Sequence, residues 1–289
     1  MNRITVVIPA RNEAAALVTL LPAVSRYVPE GELLVIDDGS TDETRAVAEA
    51  AGASVISHPY PMGNGAAIKT GARAATGEII IFMDGDGQHH PEDIPRLLEK
   101  IDAGYDMAVG ARVRGSHAGA HRAVANDVFS RFASWMVMQQ IDDLTSGFRA
   151  VRAHKFRQFL YLLPNGFSYP TTITMSFFRA GYGVAYVPIR ALERQGKSHI
   201  RPLRDGVRFL LIIIKIGTLY SPQKLFLPVS AGFFLTGLAY YAYTFITAGR
   251  FTNMSILMFI AAIFTFLIGI VSEQISTLHY RGLDDDSKK

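Results

Sequence analysis

Two long runs without a charged side chain constrain this chain more than any other feature of its sequence. Residues 225–248 contain no Asp, Glu, Lys or Arg, and residues 254–271, which follow a short linker, contain none either. Each run is close to the ~20 residues that a helix needs to cross the hydrocarbon core of a bilayer. The alternative is a pair of buried core helices, but uncharged runs of this length are difficult to bury in a domain of this size. The pattern therefore predicts a two-helix transmembrane hairpin over residues 225–279.

Positive charge is concentrated just before the first uncharged run, where the only acidic residues are Glu193 and Asp205. The basic residues there are Arg190, Arg194, Lys197, Arg201, Arg204, Arg208, Lys215 and Lys224. Positive charge beside a membrane span favours the cytoplasmic side. We therefore expect an integral membrane protein with two spans, whose N-terminal domain and tail (residues 280–289) are both cytoplasmic. Residues 201–224 are predicted to form a juxtamembrane amphipathic region on the membrane surface.

Composition narrows the classes of function. The chain has no cysteine, which rules out disulfide bonds, cysteine-ligated zinc and thiol catalysis. Its formal net charge of +4 is too small to indicate a nucleic-acid partner. Gly232, Gly237 and Gly269 in the uncharged runs would permit close packing between helices, so a homo-oligomer stays open as a further partner.

The first 200 residues alternate between strand-like and helix-like segments. Apolar, β-branched runs predict strands at residues 4–10, 32–39, 54–58, 78–84 and 106–112. Helical spacing predicts helices at residues 12–28, 40–51, 63–76 and 91–101. The second helix opens with a capping pattern, in which Ser40 or Thr41 caps the helix and Glu43 reaches back. This alternation predicts an α/β domain over residues 1–200, with a mostly parallel, doubly wound sheet.

Polar side chains cluster where the predicted strands end. They are Arg11, Asn12 and Glu13 after Pro9 and Ala10 of the first strand, Asp37 and Asp38 in the second, Asp84 and Asp86 in the fourth, and Arg112 in the fifth. In open α/β sheets, ligands bind outside the carboxyl ends of the strands. One crevice at that edge of the sheet would therefore collect these residues.

Asp84 and Asp86 are the most informative pair in that set. Alternate residues of an extended chain share a face, so both carboxylates can point into the crevice. Mg²⁺ prefers one or two carboxylates together with substrate phosphates and water, and Mn²⁺ accepts similar ligands. Gln88 could add a neutral oxygen. The spacing favours a holder for a metal–diphosphate unit. The alternative, an acidic turn that caps a helix at Pro91, accounts less well for Asp84.

Two neighbouring features carry weaker signals. His89 and His90 do not predict a zinc site, because no third His or Cys ligand lies at a suitable spacing. Gly63 and Gly65 would permit a tight turn and a close approach of the backbone to a ligand, with Lys69 facing a phosphate one helical turn later. Packing of the helix accounts for the two glycines equally well.

In combination, these segments resemble glycosyltransferase family 2. The blocks are ITVVIPARNE, LLVIDDGSTDET, GNGAAIKTGARAATGEIIIFMDGDGQHHPEDIPRLL and GARVRG, followed by DLTSGFRA at residues 143–150 and RQGKSHIRPLRDG at residues 194–206. Within that family the chain resembles the polyprenyl-phosphate (dolichyl-phosphate type) sugar synthases, a subgroup of which carries two C-terminal spans. The resemblance covers about the first 220 residues. One departure is His199, where many relatives have Lys.

The resemblance implies a GT-A fold, which is Rossmann-like, and a role for each matching residue. Nucleotide-sugar binding would involve Pro9, Ala10, Arg11, Glu13, Asp37 or Asp38, Lys69, Asp84 and Asp86. Asp84, Asp86 and Gln88 would hold Mg²⁺ or Mn²⁺, and Arg112, Arg122, Asn126, Arg194 and Ser198 would bind the acceptor phosphate. Asp86, Arg112 and Arg194 would be catalytic. Ser146, Gly147 and Arg149 would either contact the sugar or shape the loop beneath it.

The implied reaction is the inverting transfer of a monosaccharide from a nucleotide-diphosphate sugar to a polyprenyl phosphate lipid. A phosphate monoester has a second pKa of about 6 and is a dianion at neutral pH, so it needs no strong general base. The resemblance favours a UDP-glucose or UDP-N-acetylglucosamine donor. The alternatives are GDP-mannose as the donor, transfer to a protein or polysaccharide, and a membrane transport or scaffold component that binds nucleotide-sugar without turnover.

Overall fold

The computed structural model describes residues 3–113, 120–166, 168–190, 211, 214–215, 217–218 and 221–286. For residues 120–128 and 279–286 it describes the backbone alone. The chain divides into two compact units, Met1–Phe209 and Leu210–Lys289. Most of the juxtamembrane region predicted over residues 201–224 lies outside the described residues.

In the first unit the described residues form one seven-stranded sheet. Its strands are β1 (Ile4–Ala10), β2 (Glu32–Asp37), β3 (Ser54–Ser57), β4 (Ile79–Phe82), β5 (Met107–Arg112), β6 (Arg149–Arg152) and β7 (Val184–Ile189). The order across the sheet is β3-β2-β1-β4-β6-β5-β7. Neighbours are parallel except at β6, which is antiparallel to both β4 and β5. The sheet confirms the predicted fold class, and all five predicted strands are present.

Helices lie between and after these strands. In the first unit they are α1 (Ala14–Tyr27), α2 (Thr44–Ala50), α3 (Asn64–Ala74), α4 (Ile94–Asp102), α5 (Ala120–Val137), α6 (Ala153–Arg157) and α7 (Tyr169–Arg179), with 3₁₀ turns at Pro91–Asp93 and Leu160–Leu162. The second unit contains α8 (Pro222–Ala248) and α9 (Asn253–Asp286).

The central strands are buried on both faces, which explains why their sequences are continuously apolar. On one face, Val6 and Ile8 of β1 belong to the same buried cluster as Leu17 and Leu21 of α1. On the other face, α3 packs directly on β1. A Cβ added at Gly71 would lie only 2.2 Å from Val7 Cγ1, so this helix can approach the strand closely only because it has a glycine there.

The capping pattern predicted for α2 does not form. The helix begins at Thr44, and its N-cap residue, Glu43, makes no side-chain capping hydrogen bond. The hydroxyl of Ser40 instead accepts a hydrogen bond from the Asn12 amide at 3.0 Å, and the Thr41 amide donates to Asn12 Oδ1 at 2.8 Å. Ser40 and Thr41, in the loop after β2, are thus hydrogen-bonded to Asn12 in the loop after β1.

The two helices of the second unit form a hairpin, and each contains an apolar stretch long enough to cross a membrane. Ser230 Oγ donates a hydrogen bond to the Ala262 carbonyl across the hairpin at 2.8 Å. Two glycines lie at close contacts between the helices. A Cβ added at Gly237 would lie 2.9 Å from Met258 Cβ, and one added at Gly269 would lie 2.8 Å from Phe226 Cβ. Large apolar side chains such as Phe234, Ile246 and Leu267 are exposed, as expected for surfaces that face lipid.

The hairpin contacts predict a difference between two glycines of α8. Gly237→Leu places a large side chain against Met258, and we expect it to destabilise the hairpin by about 1–3 kcal/mol, the usual cost of overpacking. Gly232→Leu is the matched control, because a Cβ at Gly232 meets nothing within 4 Å. Thermal unfolding of the two purified variants in detergent measures the difference. Equal midpoints for the two variants would show that Gly237 is not at a tight interface.

Candidate active site

The polar loops that follow β1, β2 and β4 meet at the carboxyl edge of the sheet. The Asp38 amide donates to the Ala10 carbonyl at 2.9 Å, and the Gly85 amide donates to the Pro9 carbonyl at 3.2 Å. A Cβ at Gly85 would lie 3.1 Å from the same Pro9 oxygen, so a glycine is needed for the β4 loop to lie this close to β1. The strand order also changes direction between β1 and β4, which is where ligands bind in open α/β sheets.

The segment that follows β1 is held by hydrogen bonds to the β2 loop. Asn12 has a left-handed backbone conformation, with φ of 55°, and Arg11 before it is exposed. The Glu13 amide donates to Thr44 Oγ1 at 3.0 Å. The predicted nucleotide-binding residues Arg11 and Glu13 therefore project from a loop whose backbone is fixed on both sides.

Asp37 and Asp38 are both buried, but they make different contacts. Asp38 Oδ1 lies 2.8 Å from His58 Nδ1 and accepts from the Met62 amide at 2.7 Å, while its Oδ2 accepts from the Gly63 amide at 2.8 Å. Burial raises the pKa of Asp38, but these hydrogen bonds outweigh it and the pKa lies below the ordinary value. Asp37 accepts from the Ser40 amide through Oδ1 at 2.9 Å. Asp38 thus organises the loop after β3, whereas Asp37 makes fewer contacts with the described residues.

The glycines at the start of α3 make room for another protein segment. A Cβ at Gly65 would lie 2.0 Å from the Pro164 carbonyl oxygen, and one at Gly63 would lie 2.6 Å from that of Asn165. The Ala66 amide donates to the Asn165 carbonyl at 3.0 Å. Lys69 Nζ also binds this segment, through the Leu163 carbonyl at 3.2 Å and through Asn165 Oδ1. Of the two accounts of these glycines, packing is therefore the one that the contacts support.

Asp84 lies at the centre of this edge, directly after β4. Its carboxylate is about one-third exposed, at 35%. Burial raises its pKa, but the hydrogen bond from His89 and the electrostatic attraction of His89, Arg112 and Arg149 outweigh this effect and hold the pKa below its ordinary value. The side chain is thus kept ionised although it is drawn into the protein.

Asp86 and Gln88 lie in the turn that follows. The Gln88 amide donates to Asp86 Oδ1 at 3.1 Å, and Gly87 between them has a φ of 72°. Both side chains are half-buried. The turn brings the predicted metal ligands into one short segment with Asp84.

Asp84, Asp86 and Gln88 supply only part of the ligand set that a metal ion requires. Among the residues that the structure describes, no three His, Cys, Asp or Glu side chains form a group that could hold a metal. Two carboxylates and one amide oxygen are too few for an all-protein cage, but they fit a hard cation whose remaining ligands are phosphate and water.

Arg112, at the end of β5, is bound to a carboxylate that the sequence did not predict. Its Nε and Nη2 donate to Asp143 Oδ2 at 2.8 Å and Oδ1 at 3.0 Å, and Nη2 also donates to Thr145 Oγ1. Asp143 is 2% exposed and Arg112 is 39% exposed. Burial raises the pKa of Asp143, but the bonds and charge of Arg112 outweigh it and lower the pKa below the ordinary value.

The segment that contains Asp143 reaches the site because β6 runs antiparallel. Arg149, the first residue of β6, pairs with Phe82, the last residue of β4. Residues 143–148 therefore lie at the carboxyl edge of the sheet. Gly147 contacts Asp84 there, because a Cβ at Gly147 would lie 2.8 Å from Asp84 Oδ2.

Arg149 is completely buried and binds the backbone of this segment. Its Nη2 donates to the Ser146 carbonyl, and Tyr169 Oη donates to the Gly147 carbonyl at 3.0 Å. Arg149 lies over the Tyr169 ring at 5.5 Å and donates to Thr174 Oγ1 at 3.2 Å. Its burial favours the scaffold role over direct contact with a sugar.

The structure does not describe the side chains of four residues that are predicted to bind the acceptor phosphate. Arg194 and Ser198 lie outside the described residues. Arg122 and Asn126 lie on α5, where only the backbone is described. Their assignment stays a prediction.

Comparison with known proteins identifies the family. The family model "Glycosyl transferase family 2" matches residues 5–162, and the model "GtrB C-terminal hairpin" matches residues 221–278. The chain belongs to glycosyl transferase family 2. It is a glycosyltransferase and, with its C-terminal hairpin, a membrane protein, as the resemblance of its sequence blocks predicted.

Named proteins and solved structures agree with this assignment. The chain is 29% identical to a dolichyl-phosphate hexose transferase of Haloferax volcanii, over 74% of this chain and 93% of the relative. It is 31% identical to an undecaprenyl-phosphate mannosyltransferase of Micrococcus luteus, over 67% and 85%. A structure of glucosyl-3-phosphoglycerate synthase from Mycobacterium tuberculosis, in complex with Mn²⁺, UDP and phosphoglyceric acid, is similar with a TM-score of 0.61 and 25% identity, over 75% and 78%.

Sequence reasoning missed two residues of this glycosyltransferase site. Asp143 is the first residue of the DLTSGFRA block. A carboxylate at the start of a block that resembles the family could have marked it as a candidate site residue. His89 was considered only as a zinc ligand, yet it is buried beside Asp84, with Nε2 3.5 Å from Asp84 Oδ2. Its neighbour His90 is more exposed, at 32%.

The Arg112–Asp143 pair predicts a pH-dependent contribution to stability. Because the pKa of Asp143 is lower in the folded state, the pair stabilises the fold above the unfolded pKa of about 3.9. This contribution is lost as the pH falls through the folded pKa. We expect Asp143→Asn to lower the free energy of unfolding by about 1–3 kcal/mol at pH 7, with a shrinking difference from the wild type below about pH 4.

Denaturant unfolding in detergent at pH 7 and at pH 3.5 measures this difference. Asp142→Asn is the matched control, because Asp142 is an exposed neighbour on the same segment and should change stability little at either pH. A destabilisation by Asp143→Asn that is the same at both pH values would contradict the ion-pair account.

Proposed function

We propose that this glycosyltransferase transfers one hexose from a nucleoside-diphosphate sugar to a polyprenyl phosphate, with inversion at the anomeric carbon. The observation that carries the proposal is the position of the partly exposed Asp84 carboxylate, between the β1 and β6 loops at the point where the strand order changes direction. A carboxylate at this position suits a metal-bound diphosphate. Arg112 on the neighbouring loop is held in place by Asp143 and stays 39% exposed, so it offers a fixed guanidinium beside an anionic acceptor.

In this proposal, Asp84, Asp86 and Gln88 hold Mg²⁺ or Mn²⁺. When bound, the cation stabilises the negative charge on the departing nucleoside diphosphate. The donor set supports this role, and so does the Mn²⁺ and UDP complex of the similar glucosyl-3-phosphoglycerate synthase.

The nucleotide would bind along the ends of β1 and β2. Pro9, Ala10, Arg11 and Glu13 line one side in this proposal. Lys69 would have to release the Leu163 carbonyl and Asn165 Oδ1 before its amine could face a phosphate, as the sequence predicts. Of the two acids of β2, Asp37 is the better candidate for the base or ribose, because both oxygens of Asp38 are already bound to the loop after β3.

The acceptor phosphate would bind to Arg112, with Arg122, Asn126, Arg194 and Ser198. One of its oxygens attacks the anomeric carbon and forms a new C–O bond, while the bond from that carbon to the diphosphate breaks. The nucleoside diphosphate leaves with the electron pair. Because the phosphate is already a dianion, the protein contributes position and electrostatics rather than a strong base.

The lipid acceptor is supported by three features. Two relatives are named for dolichyl or undecaprenyl phosphate, the chain carries a hairpin of the GtrB type, and a basic cluster precedes the first span. By the positive-inside rule, the catalytic unit and both termini are cytoplasmic. The product would be a lipid-linked sugar on the cytoplasmic leaflet.

The donor is proposed as UDP-glucose or UDP-N-acetylglucosamine, in agreement with the UDP in the similar structure. GDP-mannose is the second candidate, because the relative from Micrococcus luteus is named as a mannosyltransferase. A non-catalytic role in nucleotide-sugar binding or transport has no comparable support.

Transfer by the purified protein tests the proposal. Detergent-solubilised protein is given radiolabelled UDP-glucose, UDP-N-acetylglucosamine or GDP-mannose together with polyprenyl phosphate and Mn²⁺. We expect organic-soluble label from one donor, and we expect that label to disappear with EDTA and in Asp86→Ala. Label that enters only water-soluble acceptors, or transfer at full rate after chelation, would refute the proposal.

The contact between Gly147 and Asp84 provides a second test. Gly147→Ala places a methyl group against the carboxylate. Overpacking costs about 1–3 kcal/mol, so we expect affinity for UDP in the presence of Mn²⁺ to fall about 5- to 150-fold where that cost falls on the binding orientation of Asp84. Gly166→Ala is the control, because a Cβ there meets nothing within 4 Å. Calorimetric titration measures both variants. Unchanged affinity in Gly147→Ala would show that the loop does not set the position of Asp84.

A further inference from the structure

His89 is a buried imidazole whose polar contact is to the central carboxylate. After the turn at Gly87, the chain folds back so that His89 lies beside Asp84. The His89 ring is 7% exposed and stacks on Phe148, with ring centroids 5.1 Å apart and an angle of 26° between the planes. Its Nε2 lies 3.5 Å from Asp84 Oδ2, within ion-pair distance and slightly longer than a typical N–H···O hydrogen bond, so a small shift of either side chain would form that bond.

The second ring nitrogen of His89 has no partner among the described residues. Nδ1 is buried and makes no hydrogen bond to any residue that the structure describes. A buried polar atom without a partner carries a desolvation cost that an apolar ring of the same shape would avoid. Phe at this position would stack on Phe148 equally well. Packing therefore does not explain why a histidine occupies this position. The contact to Asp84 does, because an apolar ring cannot make it.

Asp84 Oδ2 is held from two sides by this arrangement. His89 Nε2 approaches it from the turn after β4, and Gly147 approaches it from the segment before β6. Phe148, on which His89 stacks, directly follows Gly147. The ring and the glycine thus belong to one packed unit that limits the rotation of the carboxylate. Carboxylates that bind metal ions are typically held by such outer hydrogen bonds, and removal of these bonds costs 10–100-fold in metal affinity.

We propose that His89 is a positioning residue for metal–diphosphate binding. It does not contact the metal or the substrate, and it acts by donating a hydrogen bond from Nε2 that holds the Asp84 carboxylate in its binding orientation. The inference rests on the proposed function, since it assigns a role within the same metal site.

Three variants separate the hydrogen bond from the packing. His89→Phe keeps a ring against Phe148 and removes the N–H, whereas His89→Gln restores an N–H donor on a flexible chain. His90→Phe is the control, because His90 is the more exposed neighbour on the same turn. Electron paramagnetic resonance of Mn²⁺, titrated into the full-length protein in detergent with UDP present, measures metal affinity without turnover.

We expect Mn²⁺ affinity to fall about 10–100-fold in His89→Phe, to recover most of the loss in His89→Gln, and to stay unchanged in His90→Phe. We also expect the transfer rate of His89→Phe to approach that of the wild type when Mn²⁺ is saturating. If His89→Phe does not fold, His89→Leu against His89→Gln makes the same comparison with side chains of similar size.

The outcomes distinguish this inference from the proposed function. Wild-type protein that binds no Mn²⁺ with UDP would refute the proposed metal site, and the role of His89 with it. If the wild type binds Mn²⁺ and His89→Phe binds it with the same affinity, the role of His89 is refuted while the proposed metal site stands. Equal losses in His89→Phe and His89→Gln would also refute it, because packing rather than the N–H would then be responsible.

Discussion

The candidate active site at the carboxyl edge of the sheet depends on keeping one carboxylate ionised while the fold draws it inward. Burial works against the charge of Asp84. Within the part of the chain that the structure describes, His89, Arg112 and Arg149 offset this effect, and no Lys or Arg is bound directly to the carboxylate. A tight salt bridge would have satisfied the carboxylate and removed it from binding. Attraction spread over three groups leaves the carboxylate charged and partly exposed, which is the state that a divalent cation and a diphosphate require.

The antiparallel strand β6 is what makes this arrangement possible. The loop that follows each parallel strand lies at the carboxyl edge of the sheet. Strand β6 runs antiparallel to β4 and β5, so the loop that precedes β6 lies at that edge. One short segment therefore delivers Asp143 to Arg112 and Gly147 to Asp84. The buried Arg149 fixes that segment from below through the Ser146 carbonyl. A fully buried guanidinium is expensive to desolvate, so its use here indicates how closely the loop must be held.

The parts of the fold that follow from local pattern were predictable, and those that depend on distant partners were not. The apolar run at residues 4–10 predicts β1 at its observed residues. The rule that ligands bind at the carboxyl ends of parallel strands predicts that the polar strand ends lie at one edge. The short strand β6, RAVR, carries two arginines and no apolar run, so no periodicity marked it. Ser40 and Thr41 looked like helix caps, but Asn12 from another loop binds them instead. The glycines before Lys69 accommodate residues 164–166, a contact that no local pattern contains.

The contacts of Arg112 also limit how it could act on the acceptor phosphate of the proposed function. A guanidinium has five N–H groups, and Asp143 and Thr145 engage Nε and Nη2. At most the two hydrogens of Nη1 are left for a ligand, so Arg112 cannot offer a phosphate the bidentate grip that it gives Asp143. The carboxylate also offsets much of its charge. A nucleophilic phosphate needs its negative charge balanced but not fully neutralised, because tight ion pairing lowers its reactivity. An arginine held rigid and partly neutralised by a buried aspartate meets both conditions. Under the proposed function, Asp143 would therefore belong to the acceptor site together with the arginine that it holds.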